Sequence, residues 1–313
     1  MNIEIRKVGK KKKYYLAHSF REGKKVKKIR RYLGADLSKK RLTIIKKRAE
    51  ELIKQQIETY KKIKNPLNHV LSKKEINLLK TLEAKGKIKI SHISEEDWSK
   101  FTELFTYNTN AIEGSTINLN EVKNILEEDK WPIDAPKTEI SETYGVAEAV
   151  KEIRKTKIHI SLEFIKKLHK IIFKNSKEFA GKFRKKGIEV VIKDSLGKIV
   201  HVGAPANKIR PLLKGLIVWY NKNKNKYPPL VLAAVIHNQF EVIHPFQDGN
   251  GRVGRLILNN ILLKYNLPPV NIGLENRREY YTSLRDYQNT GNIRPMIELI
   301  IKEYKILKRK LNR

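Results

Sequence analysis

Between two apolar segments lies the stretch His244-Pro245-Phe246-Gln247-Asp248-Gly249-Asn250-Gly251-Arg252-Val253-Gly254-Arg255. The residues before it (228–243) and after it (253–265) are predicted to form buried helices, because each is a long apolar run. Pro245 has no N–H and disfavours helical angles at His244, so the first helix should end there. The imidazole is therefore expected at the mouth of a loop.

The same loop is predicted to bind an anion. Gly249, Asn250 and Gly251 tolerate positive φ angles, which turn successive backbone N–H groups into one concavity. Arg252 and Arg255 lie three residues apart in the first turn of the next helix, where cations oppose the helix dipole. Two arginines at such a position are best explained by a bound phosphate.

The glycines of this loop also allow interpretations other than an anion-binding site. Residues 249–254 fit the pattern G-x-G-x-x-G, but no strand–helix–strand alternation surrounds them, which argues against a dinucleotide-binding fold. The P-loop pattern is absent. The glycines alone would also suit a simple turn between two core helices. The added presence of His244, Asp248 and two arginines favours a functional site.

The twelve residues match H-P-F-x-D/E-G-N-G-R-x-x-R at every defined position, and in this they resemble the signature of the Fic (Fido) family of protein adenylyltransferases. The resemblance covers about residues 95–305. It implies a mainly α-helical Fic-type bundle with a β-hairpin flap, ATP and Mg²⁺ as cofactors, His244 as the catalytic base and Asp248 as the metal ligand. The residues expected to contact the ATP phosphates are Gly249, Asn250, Gly251, Arg252 and Arg255.

A second informative segment is Thr109-Asn110-Ala111-Ile112-Glu113-Gly114. Taken alone it is a helix end, with Gly114 just after the helix and Glu113 at the unfavourable end of the dipole. It is similar to the inhibitory motif Ser/Thr-x-x-x-Glu-Gly/Asn of some Fic proteins. The resemblance implies that Thr109, Glu113 and Gly114 are regulatory, and that Glu113 pairs with Arg255 and occupies the arginine expected to hold the γ-phosphate.

The resemblance implies two further site residues, whose spacing in the sequence matches the family pattern only loosely. Tyr281 and Asn289, near Tyr280, occupy the neighbourhood where family members contact adenine and ribose. Gly291-Asn292 departs from the more usual Gly-Asp at this place.

Length and composition limit the kinds of protein that this sequence can encode. The chain of 313 residues has room for one large core plus an appendage. It has no run of eighteen apolar residues and no apolar segment behind its basic N-terminus, so we expect a cytoplasmic protein without a membrane partner. The absence of cysteine excludes disulfides and thiolate chemistry. His159 and His169 lack ligand spacing and are expected to be structural or solvated. His237 lies seven residues before His244 on the same helix face, so the two could form a ligand pair, but His-Glu-x-x-His is missing and packing is the expected role of His237.

The net charge of +34 is unevenly distributed: residues 1–65 hold 23 Lys and Arg against 6 Asp and Glu, a net +17. Residues 1–34 are predicted to form a small β unit. They include 13 basic residues, interleaved with the aromatic residues Tyr14, Tyr15, Phe20 and Tyr32. This pattern is typical of a surface that binds nucleic acid. The alternatives are compositional bias and a solvated hairpin whose aromatic side chains pack on the next helix.

The predicted organisation is a basic β unit (1–35), a helical connector (36–94) and a Fic domain (95–313). The connector should begin with a long helix to about residue 63, capped by Asp36 or Ser38, and a second helix should follow a capping box at Ser72 and Glu75. Within the Fic domain the inhibitory helix spans 97–114, the flap 187–202 and the active-site loop 244–255. The flap is expected to hold a target peptide by strand addition.

These observations predict an enzyme that transfers AMP from ATP to a Ser, Thr or Tyr hydroxyl of a target protein or of itself, restrained by Glu113. Three alternatives stay open: removal of AMP by the same site, transfer of another phosphate-linked group, and a nucleic-acid-binding regulator whose Fic site modifies itself or a bound partner. The sequence does not name the target, the preferred nucleotide or a homo-oligomeric state.

Overall fold

The computed structural model describes residues 1–22, 25–64, 66–67, 71–85, 93–185, 187–188, 190–193 and 199–311. The strands are β1 (Asn2–Val8), β2 (Lys11–Glu22), β3 (Lys25–Ala35), β4 (Val191–Lys193) and β5 (Ile199–Val202). The helices are α1 (Lys39–Lys64), α2 (Lys73–Lys85), α3 (Glu95–Ile112), α4 (Leu119–Glu128), α5 (Lys137–Lys155), α6 (Leu162–Phe173), α7 (Ile209–Asn223), α8 (Pro229–Ile243), α9 (Asn250–Lys264), α10 (Arg277–Thr290) and α11 (Arg294–Leu311). The predicted mainly helical fold with a small hairpin is confirmed.

The N-terminal strands form an antiparallel sheet in the order β1-β2-β3. Because side chains alternate between the two faces of a strand, one face can be apolar while the other stays polar. The inner face buries Leu16 and Leu33 against Ala49 and Ile53 of α1. Ser38 caps α1, since its hydroxyl accepts a hydrogen bond from the Arg41 N–H at 3.4 Å.

The connector is fixed to the helical bundle by polar contacts. Glu75 completes the capping box with Ser72 and also binds Arg294 of α11, whose Nη2 donates to Glu75 Oε2 at 3.0 Å. Glu83 accepts a hydrogen bond from the backbone N–H of Leu230 at the start of α8, at 2.9 Å. Burial raises the pKa of Glu83 to about 7.

Helices α8 and α9 form the centre of the bundle. Every residue from Leu230 to Phe240 and from Asn250 to Leu263 is buried, which explains the continuous apolar runs seen in the sequence. Helices α3, α5, α6, α7, α10 and α11 pack around this pair and supply most of the remaining core. None of the described helices is both long and apolar enough to cross a bilayer.

Two boundaries differ from prediction. Helix α9 begins at Asn250, three residues before the predicted start, because Asn250 and Gly251 already have helical backbone angles. The hairpin has a shorter ladder than predicted, with Val191 opposite Val202 and Lys193 opposite Ile199. Its predicted turn, residues 194–197, lies outside the described residues.

Candidate active site

The active-site loop begins where α8 ends, at His244. His244 adopts a left-handed conformation (φ 50°, ψ 63°), and its backbone N–H donates to Phe240 O at 2.9 Å. Pro245 cannot continue the helix, as the sequence predicted. The chain therefore turns away from α8 and presents the imidazole at the surface of the bundle, with 13% of the side chain exposed.

The imidazole of His244 is arranged as a neutral base. Its Nδ1 lies 3.2 Å from the carbonyl oxygen of Glu241. Because a carbonyl can only accept a hydrogen bond, Nδ1 carries the proton and Nε2 is the nitrogen that can take one. Burial lowers the pKa of His244 to about 4, so the ring is neutral near pH 7.

The loop is held in shape by contacts that the sequence did not reveal. The buried ring of Phe246 stacks on His169 of α6 with 3.8 Å between ring centroids. His169 Nε2 donates to Asp248 O at 3.1 Å, and its Nδ1 accepts from the Gly181 N–H at 2.8 Å. Burial lowers the pKa of His169 to about 4, which matches this neutral donor–acceptor role.

The expected concavity of positive φ angles is replaced by a helix N-terminus. Of the three candidate residues only Gly249 has a positive φ, at 77°; Asn250 and Gly251 are the first residues of α9. The Asn250 side chain closes the loop, since Oδ1 accepts from Phe246 N at 2.8 Å and Nδ2 donates to Phe246 O at 3.0 Å. The N–H groups of the first helical turn are thus what an anion would meet.

Arg255 is the most heavily bonded side chain of the site. Its Nε donates to Thr109 Oγ1 at 2.7 Å, and Nη2 donates to Thr109 O at 2.9 Å and to Glu113 Oε1 at 2.7 Å. Nη1 donates to the Tyr280 hydroxyl at 3.2 Å. Four of the five N–H donors of the guanidinium group are therefore used inside the protein.

The end of α3 brings Thr109 and Glu113 to Arg255. The two residues are four apart and share one helix face, and the helix stops after Ile112 because Gly114 takes a φ of 100°. Gly251 allows this approach: a Cβ there would lie 2.1 Å from Glu113 Oε1. This glycine is needed for space and not for a positive φ.

Arg252 has a partner of its own. It is 6% exposed, forms an ion pair with Glu142 of α5, and lies over the ring of Phe173 at 4.5 Å. Lys177 Nζ lies 3.5 Å from Glu142 and 3.4 Å from Asp248 Oδ2. Glu142 and Lys177 were not identified from the sequence, because a single charged residue on an amphipathic helix or in a turn carries no local signal.

Asp248 is the most exposed carboxylate of the loop, with 45% of its side chain accessible. Burial acts to raise its pKa, but Arg252, the Gly249 N–H and Lys177 lower that pKa overall. In the described part of the chain, no three His, Cys, Asp or Glu side chains come together as a metal site. One exposed carboxylate beside a helix N-terminus does fit Mg²⁺, which commonly takes one carboxylate plus phosphate oxygens and waters.

A buried layer lies behind Arg255. Burial raises the pKa of Glu241 to about 8 and lowers that of His237 to about 3, so both are neutral near pH 7. His237 Nε2 lies 3.0 Å from the Tyr280 hydroxyl. His237 is structural, as expected, and its hydrogen bond orients the tyrosine that contacts Arg255.

The flap is connected to the active-site loop through Arg184, which the sequence did not single out. Its Nε donates to His244 O at 2.8 Å, and its backbone N–H donates to Pro245 O at 3.0 Å. Ala204, just after β5, donates from its N–H to Ile243 O at 3.0 Å. The base of the hairpin is therefore bonded to the residues on both sides of the imidazole.

The two nucleoside candidates are placed differently. Tyr281 is half-exposed at the start of α10, and its hydroxyl donates to Ile112 O at 3.2 Å, beside Glu113. Asn289 is exposed two helical turns further along α10. Among the described residues it has no hydrogen bond to any other candidate.

The chain is similar in sequence to known proteins. The Fic/DOC family model matches residues 159–262. The chain is 32% identical over 206 residues to protein adenylyltransferase fic-1 of Caenorhabditis briggsae, a match that covers 64% of this chain and 39% of that protein. It therefore spans about two fifths of the length of this curated relative.

Solved structures show the same fold. The chain is similar to a Fic domain containing signaling protein from Bacteroides thetaiotaomicron, with a TM-score of 0.63, 22% identity, and coverage of 76% of this chain and 94% of the other. It is also similar to Fic-1 from C. elegans, with a TM-score of 0.61, 23% identity, and coverage of 88% and 78%. Residues 159–262, which include the stretch from His244 to Arg255, thus match the Fic/DOC family in sequence, and the chain has the fold of solved Fic proteins.

Proposed function

We propose that this protein is an adenylyltransferase that moves AMP from ATP to a Ser, Thr or Tyr hydroxyl of a target protein or of itself. The observation that carries the proposal is the arrangement of His244 beside the N-terminus of α9, on a loop that Phe246, His169 and Asn250 hold in place. The similarity to curated adenylyltransferases supports the same chemistry.

In the proposed reaction, His244 Nε2 takes the proton of the target hydroxyl while the hydroxyl oxygen attacks the α-phosphorus of ATP. The new bond joins oxygen to AMP, the bond to the β-phosphate breaks, and pyrophosphate leaves. Because the imidazole is neutral near pH 7, it can accept the proton without first losing one. The base of the flap, bonded to Ile243 and His244, would place the target hydroxyl near Nε2.

The phosphates would lie on the first turn of α9. The N–H groups of Gly251 and Arg252 belong to that turn, where the helix dipole favours negative charge. Asp248 would hold Mg²⁺, which neutralises phosphate charge when bound. Tyr281 and Asn289, two helical turns apart on α10, are proposed to contact the nucleoside.

We further propose that Glu113 restrains the site. Its carboxylate is bound to Arg255 Nη2 at 2.7 Å, so a phosphate can reach that arginine only by displacing it. Thr109 holds the same guanidinium group from the other side, and Gly114 ends the helix that carries both residues. Removal of the Glu113 side chain should therefore increase nucleotide access.

The test is transfer of label from α-³²P-ATP with Mg²⁺ to protein. The variants are wild type, Glu113→Gly, and Glu113→Gly with His244→Ala; Glu163→Gly, at an exposed position of α6, is the matched control. We expect labelling to rise in Glu113→Gly, to vanish in the double variant, and to stay at the wild-type level in the control. No rise in Glu113→Gly while ATP still binds would refute the restraint, and label that survives in the double variant would refute the role of His244.

Removal of AMP by the same site is the second candidate. It is favoured by the position of Glu113, which is anchored on Arg255 with 28% of its side chain exposed and could orient a water molecule. The labelled product of the first experiment, incubated with unlabelled wild type, distinguishes the two. Release of AMP that depends on Glu113 would make removal the main activity.

A further inference from the structure

The N-terminal sheet has an outer face that is turned away from α1. The strand register assigns to this face Glu4 and Arg6 from β1; Lys11, Lys13, Tyr15 and Arg21 from β2; and Val26, Lys28, Arg30 and Tyr32 from β3. Burial agrees with the register at most positions, because Tyr32 is 53% and Val26 68% exposed while Leu16 and Leu33 on the inner face are buried. Ala17, which the register also places on the outer side opposite Arg30, is covered, with 4% of its surface exposed. We call the residues that the register assigns to this outer side the outer face.

Positive charge dominates the outer face. Six of its positions are Lys or Arg, and Glu4 is the one acidic residue among those that the structure describes there. Glu4 is surrounded by three of the cations: it accepts a hydrogen bond from Arg30 Nε at 2.7 Å, forms an ion pair with Lys28, and lies 3.9 Å from Arg6 Nη2. A single carboxylate cannot balance six cations, so the face keeps a strong positive potential.

Two tyrosines lie in the middle of this charge. Tyr15 and Tyr32 are opposite each other on β2 and β3, with ring centroids 5.3 Å apart, and Arg6 lies 5.4 Å from the centre of the Tyr15 ring. Buried tyrosines would stabilise the core, but these rings stay on the solvent side of the sheet. Tyr32 is exposed and Tyr15 is half-buried beside it, and such a solvent-facing aromatic pair flanked by cations is the arrangement on which unpaired bases stack.

We propose that the outer face binds single-stranded nucleic acid. The twelve residues of β2 extend about 40 Å, and three strands span about 10 Å, which suits a site of several nucleotides. Lysine and arginine would contact the phosphates, and Tyr15 and Tyr32 would stack on bases. A duplex keeps its bases stacked inside and offers these rings nothing to stack on. This inference is independent of the nucleotide chemistry proposed for the α9 site.

The test is fluorescence anisotropy of the full chain with a labelled oligothymidylate of about 20 nucleotides and with the corresponding duplex, at several salt concentrations. Lys13→Gln with Arg21→Gln removes two cations from the outer face. Lys214→Gln with Lys222→Gln removes two exposed cations from α7 and is the matched control. The outer-face variant should reduce the slope of log affinity against log salt by about 1.4, the contribution of about two phosphate contacts, and the α7 variant should leave it unchanged.

Stacking is tested separately with Tyr32→Leu and Tyr32→Phe. Leucine removes the aromatic face and should weaken single-strand binding about fivefold or more, whereas phenylalanine keeps the face and should bind like wild type. Circular dichroism and the thermal midpoint show that each variant is folded. Equal effects of the two double variants, equal effects of Leu and Phe, tighter binding of the duplex, or no binding at all would each overturn the proposal.

Discussion

Arg252 and Arg255 of α9 are each bound to a glutamate from another part of the chain, whereas the outer face of the N-terminal sheet carries six cations and only one described glutamate. The difference concerns what a ligand must displace. A phosphate that reaches Arg255 has to replace the carboxylate of Glu113. The free energy of that ion pair is therefore subtracted from the free energy of phosphate binding. A nucleic acid on the sheet displaces mainly solvent ions, so salt concentration sets its affinity. The two regions use positive charge in different ways, and mutations can separate them.

The largest expected change in stability comes from removing the ion pair between Glu142 and Arg252. Both side chains are 8% exposed, so Glu142→Ala leaves a buried guanidinium group without its main partner. We expect a loss of about 3 kcal/mol in the free energy of unfolding. Urea denaturation measures it.

The matched control for that prediction replaces both members of the pair. Glu142→Leu with Arg252→Met removes the charge together with its partner and should lie much closer to wild type in stability. If the single and double variants are equally destabilised, the loss comes from packing and not from an unpaired charge, and the contrast with the sheet disappears.

The second prediction concerns the loss of stability at low pH. Burial lowers the pKa of His169 to about 4, of His237 to about 3 and of His244 to about 4. The unfolded chain binds these protons near pH 6.5 and the folded chain does not, so stability is lost as pH falls from about 6.5 towards 4. Glu241 acts in the opposite direction, because its raised pKa of about 8 makes its contribution decline as pH rises from about 4.5 to 8.

Because these contributions overlap, a difference between variants is more informative than one profile. His237→Gln can keep a hydrogen bond to Tyr280 but cannot titrate, so its stability should depend less on pH, by about 1.4 kcal/mol per pH unit near pH 5. Wild type, unfolded under the same conditions, is the reference. Thermal unfolding at a series of pH values measures both. A wild-type slope in His237→Gln would show that this histidine is not held neutral.

The third prediction tests why residue 251 is glycine. In wild type an added Cβ would lie 2.1 Å from Glu113 Oε1, so Gly251→Ala should destabilise by pushing the carboxylate from Arg255. In the Glu113→Gly background that clash is absent, and alanine should stabilise the helical position by about 0.5–1 kcal/mol. A double-mutant cycle in urea should therefore give a coupling of about 1 kcal/mol or more. Equal destabilisation in both backgrounds would mean that residue 251 must be glycine because of its backbone conformation, as the sequence predicted, and not because of the space that Glu113 needs.

The sequence predicted those features that depend on neighbouring residues. Pro245 ends α8, the capping box at Ser72 and Glu75 begins α2, and alternating apolar residues form the sheet against α1. Each rule acts over a few residues, so no knowledge of the packed fold is needed. The contact between Glu113 and Arg255, which are 142 positions apart, was implied only by the family resemblance.

The features that the sequence did not predict depend on packing. Glu142, Lys177 and Arg184 reach the loop from separate parts of the chain, and nothing near them in sequence distinguishes them from the many other charged residues. Gly251 was assigned to a turn because glycine serves both for a positive φ and for close approach, and only the packed structure distinguishes the two. No role was predicted for the side chain of Asn250, which closes the loop through Phe246.

The smallest expected effect lies in the sheet, and its sign is opposite to that of Glu142→Ala. Lys13→Gln with Arg21→Gln removes two cations from a face that carries six cations and one carboxylate, so repulsion within the folded state decreases. We expect the thermal midpoint to rise by about one degree at low salt, and the gain to vanish near 1 M salt, where the Debye length is about 3 Å. Lys214→Gln with Lys222→Gln on α7 is the control for net charge alone. A fall in the midpoint would mean that Lys13 or Arg21 stabilises the sheet through a specific contact, in which case this face, like the arginines of α9, would have to give up a protein partner before it bound an anion.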